Sequence, residues 1–415
     1  MNEIRKDELY NDVKKTKRCS RCGRELPLER FSTGNSWCKD CCSSYLSERN
    51  GTLTEEKKVR IERIYKEPLP ERLLDASNTN VKLLNDEECF VKLIDYRNAW
   101  VSNYGRVLEC KNGRFVVKRT KRNELNEKVC VLQKNVYNGG KWIWKKQTIE
   151  IWRLVVRCFI QNFDFAGNTR CWHKNNDLND NYYKHIYPVG EKQHAALLDK
   201  YNGGQEITEE LILDVINDIL YKADDWSTNK WKRTVFDIGY LGCADSEATR
   251  NNYIYSKWQN MMQRCYDPKT QEMKPYYKGC GVDVELLNYS NYREWHKENC
   301  MDDNKLDLDK DILVEGNKVY SVDTVTLVPH FTNTVFVERG FDANITYNSE
   351  KDIYNAYMNI IGKRNHIGEY DTEEEAKQAY IDYKQNYIRD FAEKNKGKVP
   401  NKTYEAMKNW VVEVA

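Results

Sequence analysis

The runs Trp100-Val101-Ser102-Asn103-Tyr104-Gly105-Arg106-Val107 and Lys141-Trp142-Ile143-Trp144-Lys145 alternate apolar and polar positions over short stretches. That is the pattern of strands with one buried face, and it predicts an antiparallel meander. From Ile149 to Ile160 the spacing becomes helical, and a second helical stretch lies around Glu206 to Tyr221. Near the end of the chain, Ala356 to Lys363 and Asn365 to Tyr370 read as a hairpin about a Gly-Lys turn. Asp371 or Thr372 can then cap a helix whose first turn, Glu373-Glu374-Glu375, is acidic as its dipole prefers. Pro68, Pro70 and the polar run Asn78 to Asn80 mark a linker behind a charged helix. The pattern predicts an α+β multidomain chain of small sheets and flanking helices, in segments 1–50, 51–84, 85–200, 201–250, 251–337 and 338–415.

A length of 415 residues exceeds one ordinary core and implies two to four compact units. No apolar run approaches a membrane span, and no apolar stretch follows a basic start, so a soluble, unexported, cytoplasmic protein is expected. Fourteen scattered cysteines fit a reducing compartment better than a disulfide framework. The net charge of +2 says little, because phosphate binding depends on where cations sit. Between Arg97 and Arg157 there are 15 Lys and Arg against four acids, Glu109, Glu124, Glu127 and Glu150. That imbalance points to double-stranded DNA as partner, with Arg106, Lys118, Arg119, Lys121 and Arg122 as candidate contacts. Tyr104, Trp142 and Trp144 in the same stretch are either core or base-stacking surface.

Cys19-x-x-Cys22 and Cys38-x-x-Cys41 form two knuckles fifteen residues apart, a spacing that lets four thiolates converge on one Zn²⁺ in a zinc ribbon or knuckle. Four cysteines leave no open position for a substrate water, so the metal is structural. Cys42 follows Cys41 directly and is an alternative fourth ligand.

Arg153-Leu154-Val155, Phe159, Trp172-His173-Lys174-Asn175-Asn176-Asp177, Asn181 and His185-Ile186 resemble the HNH nuclease pattern, a ββα-metal fold found in phage and homing endonucleases. Upstream, Val101-Ser102-Asn103-Tyr104-Gly105-Arg106-Val107 resembles the NUMOD-type module that often precedes such nucleases. The resemblance implies that His173 is the general base, Asn181 orients its imidazole and His185 holds a divalent ion, Mg²⁺ or Mn²⁺. In the family an Asp or Asn precedes the base and supplies a further ligand, whereas Trp172 stands there in this chain. A second, degenerate HNH-like module is suggested by Tyr255-x-x-Trp258-x-x-Met261-x-x-Arg264-Cys265-Tyr266 and Leu308-Asp309-Lys310-Asp311. There Lys310 takes the place of the base, and Thr324 falls near the closing ligand position. The segment Tyr354 to Tyr380 is similar to the Apetala or ethylene-response-factor domain, which implies a three-stranded sheet that reads DNA through Lys363, Arg364, Asn365 and His366, backed by a helix whose Ala376, Ala379 and Tyr380 pack on the sheet.

Two functions follow from these resemblances. One is a metal-dependent endonuclease that nicks or cleaves duplex DNA. The other is a catalytically inactive DNA-binding protein, regulatory or structural, built from nuclease parts. Trp172 discriminates between them. On the first reading, Trp172→Asp restores a carboxylate and raises cleavage. If the indole fills the metal position, the second reading stands.

Overall fold

In a computed structural model of the chain, the described residues are 16–20, 24–31, 36–39, 57–75, 79–222, 230–242, 252–301, 306–336, 344–360 and 362–412. They form two units, Met1–Lys58 with Asp225–Thr228, and Val59–Asp224 with Asn229–Ala415. The architecture is α+β.

In the first unit β1 (Thr16–Arg18) pairs antiparallel with β2 (Glu25–Pro27). Among its described residues the buried apolar ones are Cys19, Phe31 and Cys38, with Leu26 and Trp37 packed beside them.

The second unit opens on a meander of β3 (Leu73–Leu74), β4 (Phe90–Lys92), β5 (Ala99–Ser102), β6 (Val107–Lys111) and β7 (Arg114–Val117), in that spatial order. A second sheet follows: β8 (Lys121–Arg122), then the long ribbon of β9 (Lys128–Asn138) and β10 (Lys141–Glu150). The ribbon turns at Gly139 and Gly140, both with positive φ, where a side chain would be strained. α1 (Ile151–Phe159) buries Ile151, Trp152, Leu154, Val155 and Phe159, nearly its whole circumference, against the meander and ribbon. β11 (Arg170–His173) and β12 (Ile186–Val189) then form a hairpin with a long loop, followed by α2 (Glu191–Asn202) and α3 (Glu209–Lys222).

After α4 (Tyr253–Tyr266), α5 (Pro268–Met273), β13 (Gly281–Val282), α6 (Val284–Leu287) and α7 (Tyr289–Asn299) comes a second hairpin. It pairs β14 (Leu306–Asp309) with β16 (Thr326–Pro329), the short β15 (Val319–Tyr320) lying between them in sequence, and runs into α8 (His330–Val335). The strand–strand–helix order of β11, β12 and α2 thus recurs in β14, β16 and α8. The chain closes with β17 (Ile345–Asn348), β18 (Ile353–Ile360) and β19 (Lys363–Tyr370), then α9 (Glu373–Lys394) and α10 (Asn401–Lys408).

The segments that the sequence separates at 84, 200, 250 and 337 pack into this one unit, and partly buried polar contacts tie them together. Arg157 on α1 pairs with Asp95 at 2.9 Å and with Asp323 at 3.7 Å. Lys402 on α10 also reaches Asp95, at 3.1 Å. Residues 59–75, read from sequence as the end of a helix and a linker, form a strap over the body. Arg63 donates to the carbonyls of Ile186 and Tyr183 and lies over the Tyr187 ring. Lys66 meets Glu285 at 2.8 Å. Burial works against the Lys66 charge, but Glu285 and Asp323 outweigh it and hold the ammonium above the ordinary lysine range.

His296 on α7 is 2% exposed, and neither ring nitrogen has a hydrogen-bond partner. Burial, helped by the Lys257 charge, pushes its pKa down to about 4. A folded value below the unfolded one means that the neutral ring stabilises the fold above about pH 6.5, and this contribution is lost as pH falls through about 4. Urea titrations are expected to show about 3 kcal/mol of stability disappearing over that window. A His296→Phe variant should flatten the acid limb, and an unchanged acid limb would contradict the assignment.

Candidate nucleic-acid interface

The turn between β5 and β6 is built by the residues of the NUMOD-like motif. Ser102 Oγ accepts from the N–H groups of Tyr104 and Arg106. Asn103 accepts from Cys89 N–H and donates to Glu87 O. Gly105 has φ +79°, and a Cβ there would stand 2.6 Å from Asn181 Cβ, so only glycine lets the turn meet the hairpin loop. Tyr183 N–H donates to Asn103 O, and Tyr104 stacks on Tyr182. The motif is therefore the bracket that positions Asn181.

His173 closes β11 and is 1% exposed. Burial lowers its pKa, and a hydrogen bond with Asn181 opposes that shift without overcoming it. His173 Nδ1 and Asn181 Nδ2 are buried without partners. The structure thus brings His173 and Asn181 together. His185 Nδ1 lies 2.6 Å from Asp180 Oδ2, a partner the sequence reading missed. An aspartate five residues before a histidine on one loop was the available signal.

Strand alternation sends Trp172 to the other face of the hairpin from His173. There it is 0% exposed, clustered with Val189, Leu197, Ile212 and Ile216 and edge-on to His194 and Tyr201. An indole in apolar company offers nothing to a hard cation, which wants oxygen ligands. Among the described residues no group of three or more His, Cys, Asp or Glu side chains could hold a metal ion.

In the second hairpin Asp309 occupies the place that His173 takes in the first, at the inner end of the opening strand. Burial, with Asp311 nearby, raises its pKa to about 6, although the N–H groups of Ile312 and Asp311 stabilise the anion. Lys310 donates to Asp311 and to Asn317 O, and Asn317 donates back to Lys310 O. Thr324 Oγ1 donates to Val319 O. These groups satisfy one another inside the loop.

In the C-terminal sheet the register places Tyr357 opposite His366 and Asn359 opposite Arg364. The Arg364 guanidinium lies 3.9 Å from the centre of the Tyr357 ring. His366 Nε2 is 3.3 Å from Asn355 Oδ1, and its ring is 5.1 Å from that of Tyr357. By alternation these side chains share one face. Lys363 and Asn365 belong to the other, where Asn365 donates to the carbonyls of Met358 and Lys363. α9 contacts all three strands, and the buried residues of the two layers include Ala356 and Met358 with Ala376 and Tyr380, while Ala379 is half-buried. Thr372 and Glu375 form a capping box at the start of α9. Tyr357, beneath the arginine, was missed from sequence, and the pairing register was the signal that would have found it.

The basic stretch divides by partner. Arg106 pairs with the buried Glu88 at 2.7 Å, and Lys118 with Glu109 at 3.1 Å. Arg122 is bound to Asn126 O and to Asn179. Arg119 and Lys121 stand exposed.

In the first unit the Cys38 N–H donates to Cys19 Sγ at 3.2 Å, and the Arg24 guanidinium donates to Cys38 Sγ at 3.9 Å. Donors to sulfur of this kind are what orient zinc-ligating cysteines, so the geometry of this pair would suit Zn²⁺. Cys22, Cys41 and Cys42 lie outside the described residues.

Comparison with protein-family models, with curated proteins and with solved structures gives no match. No helix among the described residues is long and apolar enough to cross a membrane.

Proposed function

We propose that the chain is a DNA-binding protein that engages duplex DNA through the C-terminal sheet and uses the first HNH-like hairpin as scaffold. The observation that carries this reading is the outer sheet face, where Arg364 is pre-stacked on Tyr357 beside His366 and Asn359. A sheet can enter the major groove, and an arginine held in one orientation is suited to the acceptor pair of a guanine edge. Arg119 and Lys121 would add phosphate contacts that position without specifying. Mobility-shift titrations test the division. Arg364→Ala is expected to cost about 1–3 kcal/mol of affinity for a selected site. Arg119→Ala with Lys121→Ala should instead lower the salt slope by about 2 for every sequence. Arg364→Ala binding as tightly as the parent would remove the sheet from the interface.

Zinc at Cys19, Cys22, Cys38 and Cys41 belongs to the same proposal. Elemental analysis of the purified protein is expected to give one equivalent, lost in Cys19→Ser. Less than half an equivalent, unaffected by that change, would refute it.

The nuclease reading keeps one favourable observation, the imidazole of His173 held by Asn181 at a strand end. Incubating supercoiled plasmid with Mg²⁺ or Mn²⁺, beside a His173→Ala control, separates the two readings.

A further inference from the structure

Residues 95–97 extend the sheet of β8, β9 and β10. Tyr96 bridges Lys134, Arg97 N–H donates to Gln133 O, and Asn135 N–H donates to Asp95 O, so this segment runs antiparallel beside β9. On the other side of β9, Gln133 is paired with Lys146 of β10. Arg97, Gln133 and Lys146 therefore form one row across three strands, and the Arg97 guanidinium donates to Gln133 Oε1 at 3.3 Å. Alternation and register put Lys121, Val131 and Thr148 on the same face. The opposite face carries Cys130 and Leu132 into the core, so this one is turned outward, and Arg97, Lys121, Val131, Lys146 and Thr148 are all exposed. Its acids are already engaged, Asp95 with Arg157 and Lys402, and Glu150 with Arg153. Its cations are not: among the described residues Arg97, Lys121 and Lys146 have no ion-pair partner. What remains is an exposed polar sheet face with uncompensated positive charge.

We propose that this face is a second docking surface for duplex DNA, distinct from the C-terminal sheet, which holds the phosphate backbones on either side of a major groove. The inference rests on the DNA-binding reading above, but it needs neither Arg364 nor a particular base sequence. Neighbouring strands lie about 4.7–4.9 Å apart, which sets the backbones of Arg97 and Lys146 roughly 10 Å from one another. The major groove of B-DNA is about 12 Å wide, so each cation can take one of the two flanking backbones. The deep, narrow major groove of an RNA duplex offers no such match. Contacts of this kind hold position without reading bases.

The test is chemical acetylation of lysines in the full chain, read by mass spectrometry, alone and with a random-sequence DNA duplex or an RNA duplex of the same length. DNA is expected to protect Lys146 and Lys121 several-fold more than RNA does. In mobility-shift titrations, Arg97→Ala with Lys146→Ala should lower the salt slope by about 2 on any DNA duplex. The same variant should keep the parent's preference for a selected site over a random one, whereas Arg364→Ala should reduce that preference. Thr148→Glu sets an anion on the face without removing a cation, and it should weaken DNA binding by itself. All three positions are exposed, so thermal unfolding should be unchanged in these variants. An unprotected Lys146, equal protection by RNA, or an unchanged slope in the double variant would overturn the proposal. If Arg364→Ala binds like the parent while the double variant still lowers the slope, the C-terminal sheet assignment fails and this one stands.

Discussion

Lys66→Met is expected to destabilise the larger unit by about 3–5 kcal/mol, a large share of a typical folding free energy of roughly 5–15 kcal/mol. The side chains of Lys66 and Glu285 are only 9% and 3% exposed. The ammonium also donates to Arg157 O at 3.0 Å. Without it, Glu285 keeps the Asn162 N–H at 2.9 Å but must stay ionised beside Asp283, or take up a proton, in a site whose burial already raises its pKa. The cost is that of an uncompensated buried anion, not of one lost hydrogen bond. Adding Glu285→Gln should recover part of the loss, since the amide oxygen can still accept from Asn162. The deficit of the single variant should also shrink as pH falls through the carboxylate range, where protonation removes the orphan charge. Urea unfolding of the three proteins decides the matter. A loss under about 1 kcal/mol would show that water solvates the pair, as at a surface.

Trp172 gives the second large effect. Trp172→Ala should cost about 3–5 kcal/mol, the usual range for emptying a buried aromatic site. Trp172→Asp should cost more, because a carboxylate among Val189, Leu197, Ile212 and Ile216 has no partner. The sequence suggests that this substitution restores a metal ligand and raises cleavage; the geometry leads us to expect loss of the fold around α2 and α3 instead. Circular dichroism, thermal unfolding and the plasmid assay distinguish these outcomes. A folded Trp172→Asp protein that nicks DNA with Mg²⁺, and stops doing so when His173→Ala is added, would restore the nuclease reading.

Local signals were the legible ones. The alternation at Trp100 to Val107 and the capping box at Thr372 announced a strand and a helix start, because strand period and cap chemistry act over a few residues. The side of the sheet on which each of Lys363 to His366 sits follows from pairing register, which a list of basic residues does not contain. Arg106 and Lys118 have the composition of DNA contacts but are engaged by Glu88 and Glu109, and a residue's partner cannot be read from its type. Least legible was the union of the segments into one body. Lys66 and Glu285 are 219 residues apart, and no periodicity announces such a pair.

That separation has a consequence for how the protein is made. Arg72 donates to a carbonyl 251 residues further along, and Lys66 must wait for Glu285. At ribosomal speeds of roughly 5–20 residues per second, these charged side chains spend on the order of ten seconds or more without the groups that balance them. Early-emerging segments cannot settle into their final arrangement one at a time, and nascent chains interrupted before α6 remain clients for chaperones or proteases rather than half-finished proteins.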